Sequence, residues 1–362
     1  MRRDELPTPA LLLDLDAMER NIATMAAHAA ATGIGLRPHA KSHKCVEIAR
    51  HLARAGALGP ACATVAEAEA MAAGGISGIL ITSPMATNDM LARVARLLGR
   101  GADLTLVVDH PANADALAEL AAGLGVTLPL IVELDVGVGR TGCREVADAV
   151  VLARRVAGHG SLRFAGVQAY WGNLQQVMPL AERERRVAAQ AERLRSLLTA
   201  LRDVGRPAEI VTGGGTGTVF LDPATALFTE LQPGSFLFLD SCYGAIPLKG
   251  NENPFVPSLF VAAGVVSANE PRRVIVNAGY KALATDSGTP MPTRGVPPGS
   301  TYRFMGDEHG AIDLGDGPPP GLGTVIELLT PHCDPTVNLH ARYQVVRGAR
   351  VVDVWPVAAR GY

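Results

Sequence analysis

The chain is poor in aromatic side chains, which make up 4% of its 362 residues. It has five cysteines, an odd number with no CxxC pair. That excludes a disulfide-stapled secreted scaffold and points to a reducing, cytoplasmic setting. No apolar run approaches the roughly 20 residues that span a bilayer. The N-terminal "MRRDELPTPALLLDLD" has no signal-peptide core with a small-residue cleavage site. Lys plus Arg number 33 against 35 Asp plus Glu, a formal charge of −2. Without a basic excess or a basic amphipathic stretch, neither a nucleic acid nor a membrane surface is expected as a partner. No GxGxxG follows the first strand-like segment, which weakens a dinucleotide-binding reading.

What is present is alternation. A strand at 11–15 precedes a helix that Asp16 can cap and that runs to about residue 31. Short apolar strands then alternate with helical stretches: "IGLRPHA", "ACAT", "GILITS", "LTLVVD", "LPLIVELDVG", "RFAGVQAY", "EIVTGGG" and "FTELQPG". A long helix at about 179–204 follows the sixth. Eight such units in about 200 residues predict a closed (β/α)8 TIM-type barrel, with an open doubly wound sheet as the alternative. From about residue 259 the rhythm gives way to strand-like segments separated by Gly and Pro, including a hairpin turning near Arg347–Gly348. The expected division is a barrel over 16–250 and a β-domain made of 1–15 and 251–362.

In such a barrel the C-terminal strand ends converge on one mouth. Lys41 follows the first barrel strand, Arg140 the fifth and Tyr170 the sixth. The run "TGGGTGT", Thr212 to Thr218, ends the seventh. Consecutive glycines let backbone N–H groups face one concavity, and Thr216 and Thr218 would add hydroxyl donors. A lysine at one strand end and a phosphate cradle at another suit pyridoxal phosphate. The stretch "GIGLRPHAKSHKC" also crowds Arg37, His39, Lys41, His43 and Lys44 together. Neighbouring positive charge of this kind is expected to lower the pKa of a lysine that must attack an aldehyde.

The motifs "PTPALLLDLDAMERNI", "RPHAKSHK", "ELDVGVGRTG", "GVQAYWG", "TGGGTGT" and "PHCDPTVNL" together resemble the D-threonine aldolase and eukaryotic-type D-serine dehydratase family. That family has the alanine-racemase-like fold of pyridoxal phosphate enzymes, and the resemblance covers nearly the whole chain. It implies that Lys41 carries the cofactor, that Arg140 and Tyr170 contact it, and that Thr212, Gly213, Gly214, Gly215 and Thr216 cradle its phosphate. It also implies that His332 and Asp334 hold a catalytic divalent ion. An H-x-D step in an extended segment would put both side chains on one face. Imidazole with carboxylate favours Mn²⁺ or Mg²⁺, with Zn²⁺ possible. Dehydratase-like members carry a cysteine two residues after the histidine; here Asp334 stands there, as in the aldolases. Cys333 is expected to face away as inert packing.

The implied activity is a lyase cleaving D-threonine or related D-3-hydroxy amino acids to glycine and an aldehyde. The alternatives are a D-serine or D-3-hydroxyaspartate dehydratase and a non-catalytic pyridoxal phosphate-binding protein. A homodimer is implied by analogy. One departure from the aldolase pattern is that Gln175 and Gln176 occupy the stretch after "QAYWGNL" where a histidine often stands. His309 is a further polar candidate near the metal. Lys281 and Asp286 fall in a recurrent family stretch with no assigned role.

Overall fold

The computed structural model describes residues 1–361. The first strand, β1 (Ala10–Asp14), is followed directly by α1 (Leu15–Thr32). The cap of this helix is Asp14 rather than Asp16: its carboxylate accepts from Ala17 N at 3.1 Å. Asp16 instead reaches Arg347 of the β-domain.

Eight parallel strands follow, each short and apolar. They are β2 (Gly35–Leu36), β3 (Ala61–Cys62), β4 (Ile79–Ile81), β5 (Leu104–Val108), β6 (Leu128–Glu133), β7 (Leu162–Ala169), β8 (Ile210–Gly213) and β9 (Glu230–Leu231). Helices α2 (Val46–Arg54), α3 (Val65–Ala73), α4 (Asn88–Gly99), α5 (Pro111–Leu124), α6 (Val146–Gly158) and α7 (Leu180–Asp203) alternate with β2 to β8. Each strand pairs with its neighbour, and β2 pairs with β9. A parallel bridge from His39 to Ala61 links the continuation of β2 to β3 and closes the ring. The expected (β/α)8 barrel is therefore present, and its closing seam is the segment that carries Lys41. Strand residues such as Ile81, Leu106, Ile131 and Val167 are fully buried, as covered parallel strands require.

After a short α8 (Ser241–Gly244) the chain builds a second sheet. Its strands are β10 (Leu259–Glu270), β11 (Arg273–Val276), β12 (Met291–Arg294), β13 (Thr301–Phe304), β14 (Gly310–Asp313), β15 (Val325–Leu329), β16 (Arg342–Arg347) and β17 (Arg350–Pro356). β1 joins this sheet, antiparallel to β10 and parallel to β16. The β16–β17 hairpin turns at Gly348, whose φ of 57° suits glycine. Between β15 and β16 lies a helix, α9 (Cys333–Leu339), which packs against the loop at Ala40–Ser42.

The N-terminus is fastened to this sheet by Arg3, whose guanidinium forks onto Glu327 at 2.5 and 2.7 Å. Both side chains are nearly inaccessible, and Asp14 is a third member of the cluster at 3.0 Å. Removing one partner of a buried pair leaves an uncompensated charge and costs roughly 3–5 kcal/mol. Arg3→Ala is therefore expected to lower unfolding free energy by about 3 kcal/mol, read from urea denaturation. A loss below about 1 kcal/mol, the range of exposed pairs, would contradict this burial.

Candidate active site

A cleft opens at the C-terminal ends of the barrel strands. It is lined by Lys41, Arg140, Tyr170, Gly214, Gly215, Thr216 and, from the β-domain, Asp334.

Lys41 reaches it because the chain after β2 makes a single turn of 3-10 helix, Ala40–Ser42, on leaving the barrel seam. Lys41 Nζ lies 3.0 Å from Asp334 Oδ2. Asp334 raises the pKa of Lys41 above its ordinary value, and burial opposes the shift without reversing it. In turn, burial pushes Asp334 up, but Lys41 and His332 prevail and hold its carboxyl down to about 2. Lys41 is thus an ammonium in this state, contrary to the expected depression by neighbouring cations.

Those cations turn out to be dispersed. Arg37 forks onto Glu230 at 2.7 and 2.9 Å. Lys44, in a left-handed conformation (φ 49°), donates to Asn338 Oδ1 of α9 at 3.0 Å. Burial lowers His39 to about 3 and His43 to about 4, so both are neutral. The same segment is tied to the β-domain again by Tyr343 Oη, which donates to His43 O at 2.6 Å.

Arg140 and Tyr170 stack, with the guanidinium carbon 5.5 Å from the ring centroid. The glycine run divides. Gly214, Gly215 and Thr216 line the cleft, and their amides donate to no acceptor among the described residues. Thr212 and Gly213 do not line it. They end β8 inside the barrel, where Thr212 Oγ1 accepts from Gln232 Nε2 at 2.8 Å and Gly213 packs against Ala169 O. The Thr218 hydroxyl is turned away too, donating to Asp222 at 2.9 Å.

Beneath the loop lies a buried scaffold. Asp222 also accepts from Trp171 Nε1 at 2.8 Å, and burial raises its carboxyl to about 7. Gln175 Oε1 accepts from Gly217 N at 2.9 Å. A Cβ on Gly214 would sit 2.4 Å from Asp222 Oδ2, and one on Gly215 would sit 2.5 Å from Gln175 Oε1. Both glycines are therefore required by close approach, and Gly214 also by its φ of 65°.

Sequence reasoning missed the second half of this cradle. Gly234 and Ser235 also line the cleft, and Phe236 N donates to Thr216 Oγ1 at 3.1 Å, joining the two loops. The turn signal "QPGS" after β9 was the available clue. Thr82 and Tyr243 are further lining residues without a sequence motif, and Gln168 of "GVQAYWG" and Gln232 of "QPGS" line it too. Open amides from two loops, with a lysine and an arginine in the same cleft, fit an anionic pyridoxal phosphate.

His332 and Asp334 do not share an extended strand. His332 is extended (φ −145°, ψ 123°), but Cys333 begins α9. Asp240 Oδ2 accepts from Cys333 N at 2.9 Å and Asp240 Oδ1 from Tyr243 N at 3.0 Å, joining α9 to α8. His332 Nδ1 lies 2.6 Å from Asp286 Oδ2, and its Nε2 makes no hydrogen bond among the described residues. A free imidazole nitrogen and a carboxylate held ionised suit a divalent ion. Among the described residues no third His, Cys, Asp or Glu completes a ligand set, so water and substrate would take the other positions. Cys333 is buried, and its thiol lies 3.3 Å from Asp334 Oδ1 rather than facing away. His309 is exposed in the β13–β14 turn, and Lys281 pairs with Glu308 at 2.6 Å, which gives neither a place in the cleft. Gln176 reaches Cys242 Sγ at 2.9 Å, near the rim.

Residues 13–242 match the alanine racemase N-terminal domain and residues 258–346 a putative serine dehydratase domain. The chain is 39% identical to a D-threonine aldolase from Arthrobacter sp, covering 98% of this chain and 93% of the relative. It is 36% identical to a 3-hydroxy-D-aspartate aldolase from Paracoccus denitrificans, covering 100% and 94%. Among solved structures, a D-threonine aldolase from Filomicrobium marinum superposes with a TM-score of 0.92 at 38% identity, covering 98% and 95%. A cysteine-to-alanine variant of D-threo-3-hydroxyaspartate dehydratase, in the metal-free form, superposes with a TM-score of 0.83 at 29% identity, covering 97% of each chain.

The ion pair has a kinetic consequence. Only the neutral amine attacks an aldehyde, and each unit of pKa is a tenfold change in its fraction. Asp334→Asn removes the main cause of the raised Lys41 pKa. Metal-free, cofactor-free Asp334→Asn protein is expected to take up pyridoxal phosphate several-fold faster at pH 7, followed by absorbance. An unchanged rate would contradict the pairing.

Proposed function

Because the chain belongs to the D-threonine aldolase and D-serine dehydratase family of alanine-racemase-like proteins, we propose that this cleft cleaves D-threonine or a related D-3-hydroxy amino acid. The products are glycine and an aldehyde, and the enzyme is a carbon–carbon lyase using pyridoxal phosphate. The observation that carries the assignment is the 3.0 Å approach of Lys41 Nζ to Asp334 Oδ2. It brings Lys41 of the barrel and the Asp334 carboxylate of the β-domain into one cleft, which supports this reading.

The roles follow from position. Lys41 anchors the cofactor covalently. The amides of Gly214, Gly215 and Thr216, with Gly234 and Ser235 opposite, hold its phosphate. Arg140, kept in place by Tyr170, supplies positive charge toward its ring. When bound, the cofactor supplies the electron sink that lets the Cα–Cβ bond break. His332 Nε2 and Asp334 would hold a divalent ion, Mn²⁺ or Mg²⁺ before Zn²⁺, which would supply Lewis-acid lowering of the substrate β-hydroxyl pKa. The partly buried Asp334 carboxylate is favoured by a cation beside it, which a divalent ion would supply in place of Lys41. The neutral state of His39 keeps surplus positive charge out of the cleft.

Dehydration is the second reading, since dehydratases share the fold. It is disfavoured by Asp334, because a carboxylate makes a harder, wetter metal site than a thiolate. All five cysteines are free, which accords with the proposed cytoplasmic location. The homodimer is part of the same proposal, and sedimentation would test it.

Product analysis separates the readings. With D-threonine and a divalent ion, glycine and aldehyde are expected in equal amounts. Chelation is expected to stop turnover while the cofactor chromophore persists. Ammonia and a 2-oxo acid as the dominant products would overturn the lyase assignment.

A further inference from the structure

His332 is held from two directions by the loop between β11 and β12. Its side chain meets Asp286, with Nδ1 to Oδ2 at 2.6 Å. Its main chain meets Thr336, whose Oγ1 donates to His332 O at 2.8 Å and accepts from Ala284 N at 3.1 Å. Thr336 is fully buried, so this bridge between α9 and the loop is shielded from water. A second bridge joins His340 Nε2 to Ala282 O at 2.9 Å. The loop therefore docks on α9 through two contacts beside Asp286, and the carboxylate arrives on a fixed support.

An ionised carboxylate can only accept. Against it, His332 Nδ1 must carry the hydrogen, which leaves the lone pair on Nε2. That tautomer is the one a metal needs when Nε2 is the ligand atom, and a carboxylate behind a ligating imidazole also raises its basicity. Asp286 Oδ2 is further occupied by Ser287 Oγ at 3.1 Å, so this oxygen is committed to orientation.

Resting on the metal role proposed for His332, we infer that Asp286 is the positioning residue of the metal site. It fixes the tautomer and rotamer of His332 without ligating the ion. It thereby gives the "NAGYKALATD" stretch a role in metal affinity.

The test uses cofactor-loaded enzyme stripped of metal with a chelator and dialysed. Mn²⁺ is titrated in, and free ion is read by its EPR signal. Asp286→Ala is expected to weaken Mn²⁺ binding roughly 10- to 100-fold. Asp286→Asn keeps an acceptor but not the charge, and it should fall between Asp286→Ala and the wild type. Cofactor absorbance and the thermal midpoint of the metal-free variants should match the wild type, which a merely structural role would not allow. Activity of Asp286→Ala should return at saturating Mn²⁺, with the shift confined to the half-saturating concentration. Mn²⁺ affinity of Asp286→Ala within about twofold of wild type, while His332→Ala loses the ion, would overturn the positioning role alone, since losing the carboxylate behind a ligating histidine ordinarily weakens metal binding at least about tenfold. If His332→Ala binds Mn²⁺ as the wild type does, the metal role of His332 fails and the role of Asp286 fails with it.

Discussion

A partly buried carboxylate is most stable beside a cation, and the architecture is arranged around that requirement at Asp334. The compensation comes from Lys41, on a different domain, at 3.0 Å. The contact needs the barrel seam to deliver Lys41 and the β-domain to deliver α9 to one point. The supporting bonds all serve that meeting. Tyr343 holds the main chain of His43, Lys44 holds Asn338, and Asp240 caps the amide of Cys333. Breaking the seam would separate Lys41 from Asp334, the two side chains to which the cofactor and metal roles are proposed.

The same constraint explains why the cation-rich stretch is tolerated. Five basic side chains within eight residues would repel if they faced one another. Instead the strand ends at Leu36, before the first of them, and the tight turn at Ala40–Ser42 sends them to separate partners. Arg37 turns under the barrel to Glu230, Lys41 into the cleft, and Lys44 to the β-domain. The two histidines lose their protons to burial. What began as a cluster in the sequence is a distribution point in three dimensions.

The barrel was legible because its strands alternate with helices at regular spacing, and period and length are local properties. The second sheet was legible as strands, and β1 does pair with β10 and β16. Finer features depended on contacts between distant segments. Asp14 rather than Asp16 caps α1, a shift of two residues that only backbone geometry decides. The start of α9 at Cys333 overturned the alternation argument for His332 and Asp334, since "PHCDPTVNL" carries no periodic signal. Thr212, Gly213 and Thr218 are spelled like the rest of the glycine run, yet they serve the scaffold rather than the cleft. Gly234, Ser235 and Gln232 carried only the "QPGS" turn signal, because a site assembled from strand ends draws single residues from many loops. The charge state of Lys41 came out with the opposite sign because its dominant partner, Asp334, lies at the far end of the chain.

The meeting of cofactor and metal in one cleft is tested most directly by a crystal structure of enzyme loaded with pyridoxal phosphate and Mn²⁺, with data collected at a wavelength where manganese scatters anomalously. The account predicts continuous density from Lys41 Nζ into the cofactor and an anomalous peak between His332 Nε2 and the Asp334 carboxylate. Cofactor density on Lys44 or Lys281, or a manganese peak away from His332 and Asp334, would contradict it.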